Sequence, residues 1–162
     1  MGFPDSNGES HPQQSEDNRG EKMKILFVCK YNRFRSKVAE VYLRMINENK
    51  KIIVKSKGII EINRPLDSGE RRRNKYLKKK FGFVLYGKSL SVDIKSLLWA
   101  DKIIIVADDI PAKIFNSKKW KNKVEVWSIG DENGYNKRNI NKIVGFIIKK
   151  VDALVKSLEK EK

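Results

Sequence analysis

Short, continuously apolar runs alternate with segments of helical period along this chain after residue 23, and that alternation limits the architectures open to it. The first run, Lys24-Ile25-Leu26-Phe27-Val28, carries no helical period and reads as a buried strand. From Ser36 to Glu48 the apolar residues Val38, Tyr42, Met45 and Ile46 follow helical spacing. Ile52-Ile53-Val54 reads as a second strand, Lys102 to Ala107 as a third and Val124 to Trp127 as a fourth. Between them fall a weakly amphipathic helix from Ser68 to Phe81, a short helical piece from Ile94 to Trp99, and a turn around Ile114, Phe115 and Trp120. A long closing helix carries the stripe Ile140, Ile143, Val144, Ile147, Val151, Leu154, Val155 and Leu158. Strands that alternate with helices in this way predict a doubly wound α/β domain, a parallel sheet with helices on both faces. Such folds bind ligands beyond the carboxyl ends of their strands, where the strand order reverses. Cys29 stands at the end of the first strand.

Residues 1–22 have a different character. They are Ser, Gln, Asn, Glu and Gly with two prolines, and bury too little apolar surface to offset the entropy of ordering. A disordered leader before one domain over 23–162 is expected, with Met23 as a candidate start. Met1-Gly2 with Ser6 loosely fits an N-myristoylation pattern, but a flexible leader is the preferred reading. No stretch has the apolar length to cross a bilayer or the core of a signal peptide. A soluble, cytoplasmic protein is therefore expected, with no transmembrane segment.

The formal charge is +16. The leader holds five carboxylates against Arg19 and Lys22, a net of −3, so residues 23–162 carry +19. Such a field attracts anionic partners: phosphorylated proteins, small phosphate esters, nucleic acid or acidic membrane. Within it, Arg71, Arg72, Arg73, Lys75, Lys78, Lys79 and Lys80 crowd one helical segment, which reads more readily as a solvated face than as a nucleic-acid patch. Cys29 is the only cysteine, so no intramolecular disulfide and no cysteine zinc cluster can form, and a lone thiol suits a reducing cytosol. The only histidine is His11, in the leader, which excludes a histidine-activated nucleophile in the domain. No metal and no cofactor are expected.

Cys29-Lys30-Tyr31-Asn32-Arg33-Phe34-Arg35-Ser36 joins a strand to a helix, with five residues between the cysteine and Arg35. A loop wrapped there turns successive backbone N–H groups into one concavity, to which the helix adds its positive end. That concavity suits a phosphate dianion, held along Lys30 to Ser36, and the planar fork of Arg35 can grip two phosphate oxygens. Thiols beside cations and helix N-termini ionise far more readily than free ones, so Cys29 can be a nucleophile without histidine. Ser36 can donate a hydrogen bond to the thiolate.

Val28-Cys29-x-x-Asn32-x-x-Arg35-Ser36-x-x-Ala39-Glu40 resembles the signature of the low-molecular-weight protein tyrosine phosphatases. The resemblance runs from Met23 to the final helix: Ser56-Lys57-Gly58 stands where that family has Ser-Ala-Gly, and Ala100-Asp101 is similar to its entry into the third strand. It implies a four-stranded sheet in the order 2-1-3-4 and hydrolysis of phosphotyrosine or aryl phosphate through a phosphocysteine. Cys29 would be the nucleophile and Asp131 the general acid, with Asn32 holding the loop open and Ser56 supporting it.

Several positions depart from the family pattern. Tyr31 replaces a glycine, Phe34 a second cysteine, Lys37 a proline and a residue near Lys88 a supporting histidine. Asp131 is followed by Glu132 instead of proline, and the adjacent tyrosines are missing, although Tyr135 is near. Lys30 and Arg33 make the mouth more cationic. Asp108, Asp109 and Glu132 stand as competitors for the acid. Two other functions fit the same loop: a non-catalytic, basic phosphate-binding module for a phosphoprotein or nucleic acid, and an arsenate reductase that borrows an external thiol.

Overall fold

The computed structural model describes residues 22–160 apart from 49 and 133; the expected leader, but for Lys22, lies outside them. Four strands, β1 (Met23–Cys29), β2 (Ile52–Gly58), β3 (Lys102–Val106) and β4 (Val124–Trp127), form one parallel sheet in the order β2-β1-β3-β4. This is the 2-1-3-4 order expected. Among the described residues four α-helices connect or close it: α1 (Arg35–Ile46), α2 (Ser68–Phe81), α3 (Ile94–Trp99) and α4 (Lys137–Lys160). The turn expected around Ile114 to Trp120 is two short 3₁₀ turns, Ala112–Phe115 and Lys121–Lys123.

The central strands show why the sequence reads as it does. β1 and β3 are buried on both faces, which demands unbroken apolar runs. Ile25, Phe27, Ile104 and Val106 face the layer that holds α1, α2 and α4. Leu26, Val28, Ile103 and Ile105 face Leu97 of α3 and Phe115. The edge strand β2 instead alternates, with Val54 and Ser56 buried and Lys55 exposed, and a lysine on an edge discourages pairing with other sheets. β2 runs to Gly58, four residues past its apolar stretch, and those residues support the loop after β1.

Local chemistry fixes the helix ends. A capping box, Asp67 with Glu70, opens α2, and Gly82 closes it at φ 75° with its N–H bonded to the Leu77 and Lys78 carbonyls, a left-handed geometry that glycine adopts without strain. Asp93 and Ser96 cap α3 in the same way. Tyr42 Oη donates to Asp152 Oδ1 at 2.6 Å and ties α1 to α4; a hydrogen bond to a charged acceptor is worth about 1.5–3 kcal/mol. Helix α1 has no side-chain cap and no acidic residue in its first turn. Its positive end is left open toward the loop.

Candidate active site

The loop between β1 and α1 is held from outside. A trans peptide keeps C=O and N–H pointing opposite ways, so a loop that turns its amides inward must find donors for its carbonyls outside. It does so almost throughout. The carbonyls of Cys29 and Lys30 accept from the amides of Ile59 and Ile60 at 3.0 and 2.9 Å. That of Tyr31 accepts from Ser89 Oγ at 2.7 Å, that of Arg33 from Arg73 Nη2 at 3.0 Å, and that of Phe34 from the Val38 amide at 2.8 Å. In contrast, no backbone N–H from Tyr31 to Lys37 donates to a protein acceptor among the described residues. A row of such amides at a helix N-terminus forms an anion cradle.

Beneath the loop lies a buried polar chain. Asn32 is fully buried and sits at φ 55°, a left-handed conformation that asparagine tolerates better than most residues. Its Nδ2 donates to both Ser36 Oγ and Ser56 Oγ at 2.9 Å, and its Oδ1 accepts from the Leu90 amide at 3.1 Å. Ser56 passes its own proton to Glu40 Oε1 at 2.5 Å. Because Ser36 Oγ accepts from Asn32, its hydroxyl proton is free for Cys29 Sγ, 3.0 Å away. The chain thus aims one O–H at the sulfur. Gly58 completes the floor: a Cβ there would lie 2.8 Å from the backbone of Asn32 and Tyr31, so only glycine lets β2 approach the loop this closely.

Arg35 is 1 % exposed, and a buried guanidinium must be paired. Its Nη1 donates to the Ile129 carbonyl at 2.8 Å and its Nη2 to Asp109 at 3.1 and 3.3 Å. Asp131 Oδ2 lies 3.4 Å from Nη2, and Asp108 3.9 Å from Nη1. Nε is buried without a hydrogen-bond partner among the described residues. Arginine Nε is one prong of the fork that binds phosphate, and here it remains unused.

Cys29, Arg35 and Asp131 line one cleft of about 410 Å³ together with Tyr31, Arg33 and Phe34. Glu132 also reaches it, but its carboxylate accepts from Asn139 Nδ2 on α4. Of the competing acids, Asp131 pairs with Arg35 inside the cleft, whereas Asp109 is held as Arg35's two-oxygen partner. Lys30, included in the phosphate-binding stretch, does not line the cleft; its ammonium lies 5.3 Å from the centre of the Tyr31 ring. Tyr135 packs against Tyr76 and Arg72 instead of the loop. Lys88 is exposed, and the support expected near it comes from its buried neighbour Ser89.

The opposite wall is the start of α2, and here the sequence reading needs correction. The basic run was expected to be a solvated face, and Arg71, Arg72, Lys75 and Lys78 to Lys80 are exposed. Arg73 is not: it is buried, with its guanidinium 4.7 Å from the centre of the Phe34 ring. Glu70 Oε1 accepts from Arg33 at 3.1 Å and Arg64 at 2.8 Å, and Arg33 also reaches the Arg64 carbonyl. Burial alone would raise the Glu70 carboxyl, but the hydrogen bonds from Arg64 and the Asp67 amide, with the Arg33 charge, hold it below the ordinary carboxylate value. Lys37, 8 % exposed, donates to the Tyr86 carbonyl at 2.8 Å, and burial lowers its pKa against the pull of Glu40 and Cys29. The capping-box spacing Asp67-x-x-Glu70 was the one sequence signal that could have placed this wall.

No family model and no curated protein matches the sequence. Solved structures do. A low-molecular-weight protein tyrosine phosphatase from Vibrio cholerae O395 superposes with a TM-score of 0.73 at 19 % identity, over 86 % of this chain and 98 % of its own. The chain has the fold of the low-molecular-weight protein tyrosine phosphatases. Another such phosphatase, from T. tengcongensis, gives 0.70 at 21 % identity over 84 % and 99 %. The arginine phosphatase YwlE from Geobacillus stearothermophilus gives 0.67 at 22 % over 86 % and 94 %. Within the described residues no helix is long and apolar enough to cross a membrane.

Proposed function

We propose that this protein hydrolyses phosphomonoesters, with an aryl phosphate or phosphotyrosine as the favoured substrate, through a phosphocysteine on Cys29. The observation that carries this reading is one cleft in which Cys29, bonded to the Ser36 hydroxyl, shares space with the unused Nε of Arg35 and with Asp131. The phosphoryl group sits among the amides of Tyr31 to Lys37, and Arg35 turns its fork from the carboxylates to two phosphate oxygens.

The sulfur of Cys29 attacks phosphorus as the bond from phosphorus to the leaving oxygen breaks, and Asp131 gives that oxygen its proton. Water then attacks the phosphocysteine. Asp131 takes the water's proton, the sulfur–phosphorus bond breaks, and inorganic phosphate leaves while the Ser36 O–H stabilises the returning thiolate. Tyr31, Phe34 and Ile62 supply an apolar wall for an aromatic leaving group. Phosphorylated proteins or small phosphate esters are the partners this predicts, in a reducing cytoplasm that keeps Cys29 free.

The decisive assay is turnover of an activated aryl phosphate in the presence of a chelator, beside phosphotyrosine and phosphoarginine peptides. Wild type should turn over the aryl ester, vanadate should inhibit it, and Cys29→Ser should be inactive. Activity retained in Cys29→Ser would refute the mechanism, and binding without turnover would leave a phosphate-binding module.

A further inference from the structure

The carbonyl donors outside the loop are not alike. Three are backbone amides and one is the Ser89 hydroxyl, all from residues near the loop in the fold. The donor to the Arg33 carbonyl is instead a guanidinium from α2, Arg73. Arg73 is 4 % exposed, and no carboxylate lies within ion-pair distance of it among the described residues. Its other hydrogen bond, from Nε, goes to Asn74 Oδ1 at 3.2 Å. Burial lowers its pKa, offset in part by the more distant charges of Glu70, Asp131 and Asp67. Burying a guanidinium without a paired carboxylate is costly. Its helix neighbours Arg71 and Arg72 point to solvent and avoid that cost.

The Arg33 carbonyl and the Phe34 amide belong to one peptide group. Holding the carbonyl outward turns the Phe34 N–H inward, where no protein acceptor meets it. A cation on the carbonyl polarises the peptide and makes that N–H a stronger donor. The same guanidinium covers the ring of Phe34, the residue that stands immediately before α1. We propose that Arg73 is a positioning residue of the phosphate-binding loop, acting from the cleft wall through the Arg33 carbonyl and the Phe34 ring to set the Phe34 amide on the anion.

This inference rests on the phosphate-binding reading, so its test begins with binding and not with turnover. The dissociation constant for inorganic phosphate is measured by calorimetry on the full chain, well below the melting temperature, for wild type, Arg73→Lys and Arg73→Met. Methionine keeps the buried stem but loses the donor and the charge, and should weaken phosphate by about tenfold or more. Lysine keeps the charge but cannot bond the carbonyl and cover the ring together, and should fall between the two. The KM for an aryl phosphate should rise in the same order.

A folded Arg73→Met variant with a lower melting temperature and wild-type phosphate affinity would overturn the inference, because that is what a purely structural role gives. If Arg73→Met does not fold, Arg73→Lys decides alone, and unchanged affinity in that variant overturns the inference. Wild type that fails to bind phosphate at all would instead defeat the phosphate-binding reading itself.

Discussion

The floor and the rim of the cleft are built on different principles. On the floor, Cys29, Asn32, Ser36 and Ser56 form a buried chain of hydrogen bonds that ends on the Glu40 carboxylate. On the rim, Arg33, Arg64 and Glu70 form a charged lattice in which one carboxylate oxygen serves two arginines, and Arg73 stands beside it without a paired carboxylate. A buried chain of this sort tolerates little change, since a lost partner leaves a polar group stranded. The outer link of the lattice, where Arg64 is half-exposed, can be lost at small cost because solvent screens that pair. On the proposed reading the floor sets what the site does to a phosphate, and the rim sets which phosphate it meets.

The largest effects should fall where floor and rim meet, at Asp131, the proposed acid. Removing a positioned general acid costs ~10²–10⁴ in rate. Asp131→Asn should lose that much on poor leaving groups and less on nitrophenolate, while Glu132→Gln, whose carboxylate is turned to Asn139, should stay near wild type. Steady-state rates over a series of aryl leaving groups separate the two, and the reverse pattern would move the acid to Glu132.

A smaller effect is expected one step below the sulfur. Ser56→Ala strands an Asn32 N–H and leaves Glu40 with Arg44 as its remaining partner, and an unsatisfied buried group costs about 1–3 kcal/mol. Its melting temperature should fall and its kcat with it, whereas Arg64→Ala on the rim should change KM alone. Equal losses from both variants would erase the distinction between floor and rim.

The smallest effect is acid-dependent. The Glu70 carboxyl is held below its unfolded value near 4.5, so its stabilisation is full above that pH and is lost as pH falls through the lower folded value. Glu70→Gln should be less stable than wild type at neutral pH, with the gap closing in the acid range below 4.5. A gap that persists unchanged at low pH would show that the Glu70 ion pairs contribute nothing. Denaturant midpoints across that range make the comparison.

Much of the floor was legible in the sequence because its residues lie close together along the chain. Cys29, Asn32, Arg35 and Ser36 fall within one strand–loop–helix unit, and Ser56 lies on the adjacent strand. The sheet order followed from the family resemblance, and the strands from the apolar runs that burial on both faces requires. The rim was not legible, for a physical reason. Arg73 sits among exposed cations with no helical period to mark it, and only the placement of α2 over Phe34 buries it. The sharing of Arg35 among Asp108, Asp109 and Asp131 was equally hidden, since it joins the ends of β3 and β4 to the start of α1.

The central claim is that Cys29 becomes covalently phosphorylated in the cradle beside Arg35. Rapid quenching of wild type and Asp131→Asn with an activated aryl phosphate, followed by mass spectrometry of the Cys29 peptide, tests it directly. The account predicts phosphate on Cys29 together with a burst of released phenol, none of it in Cys29→Ser. Steady turnover with an unmodified Cys29 peptide and no burst would contradict it.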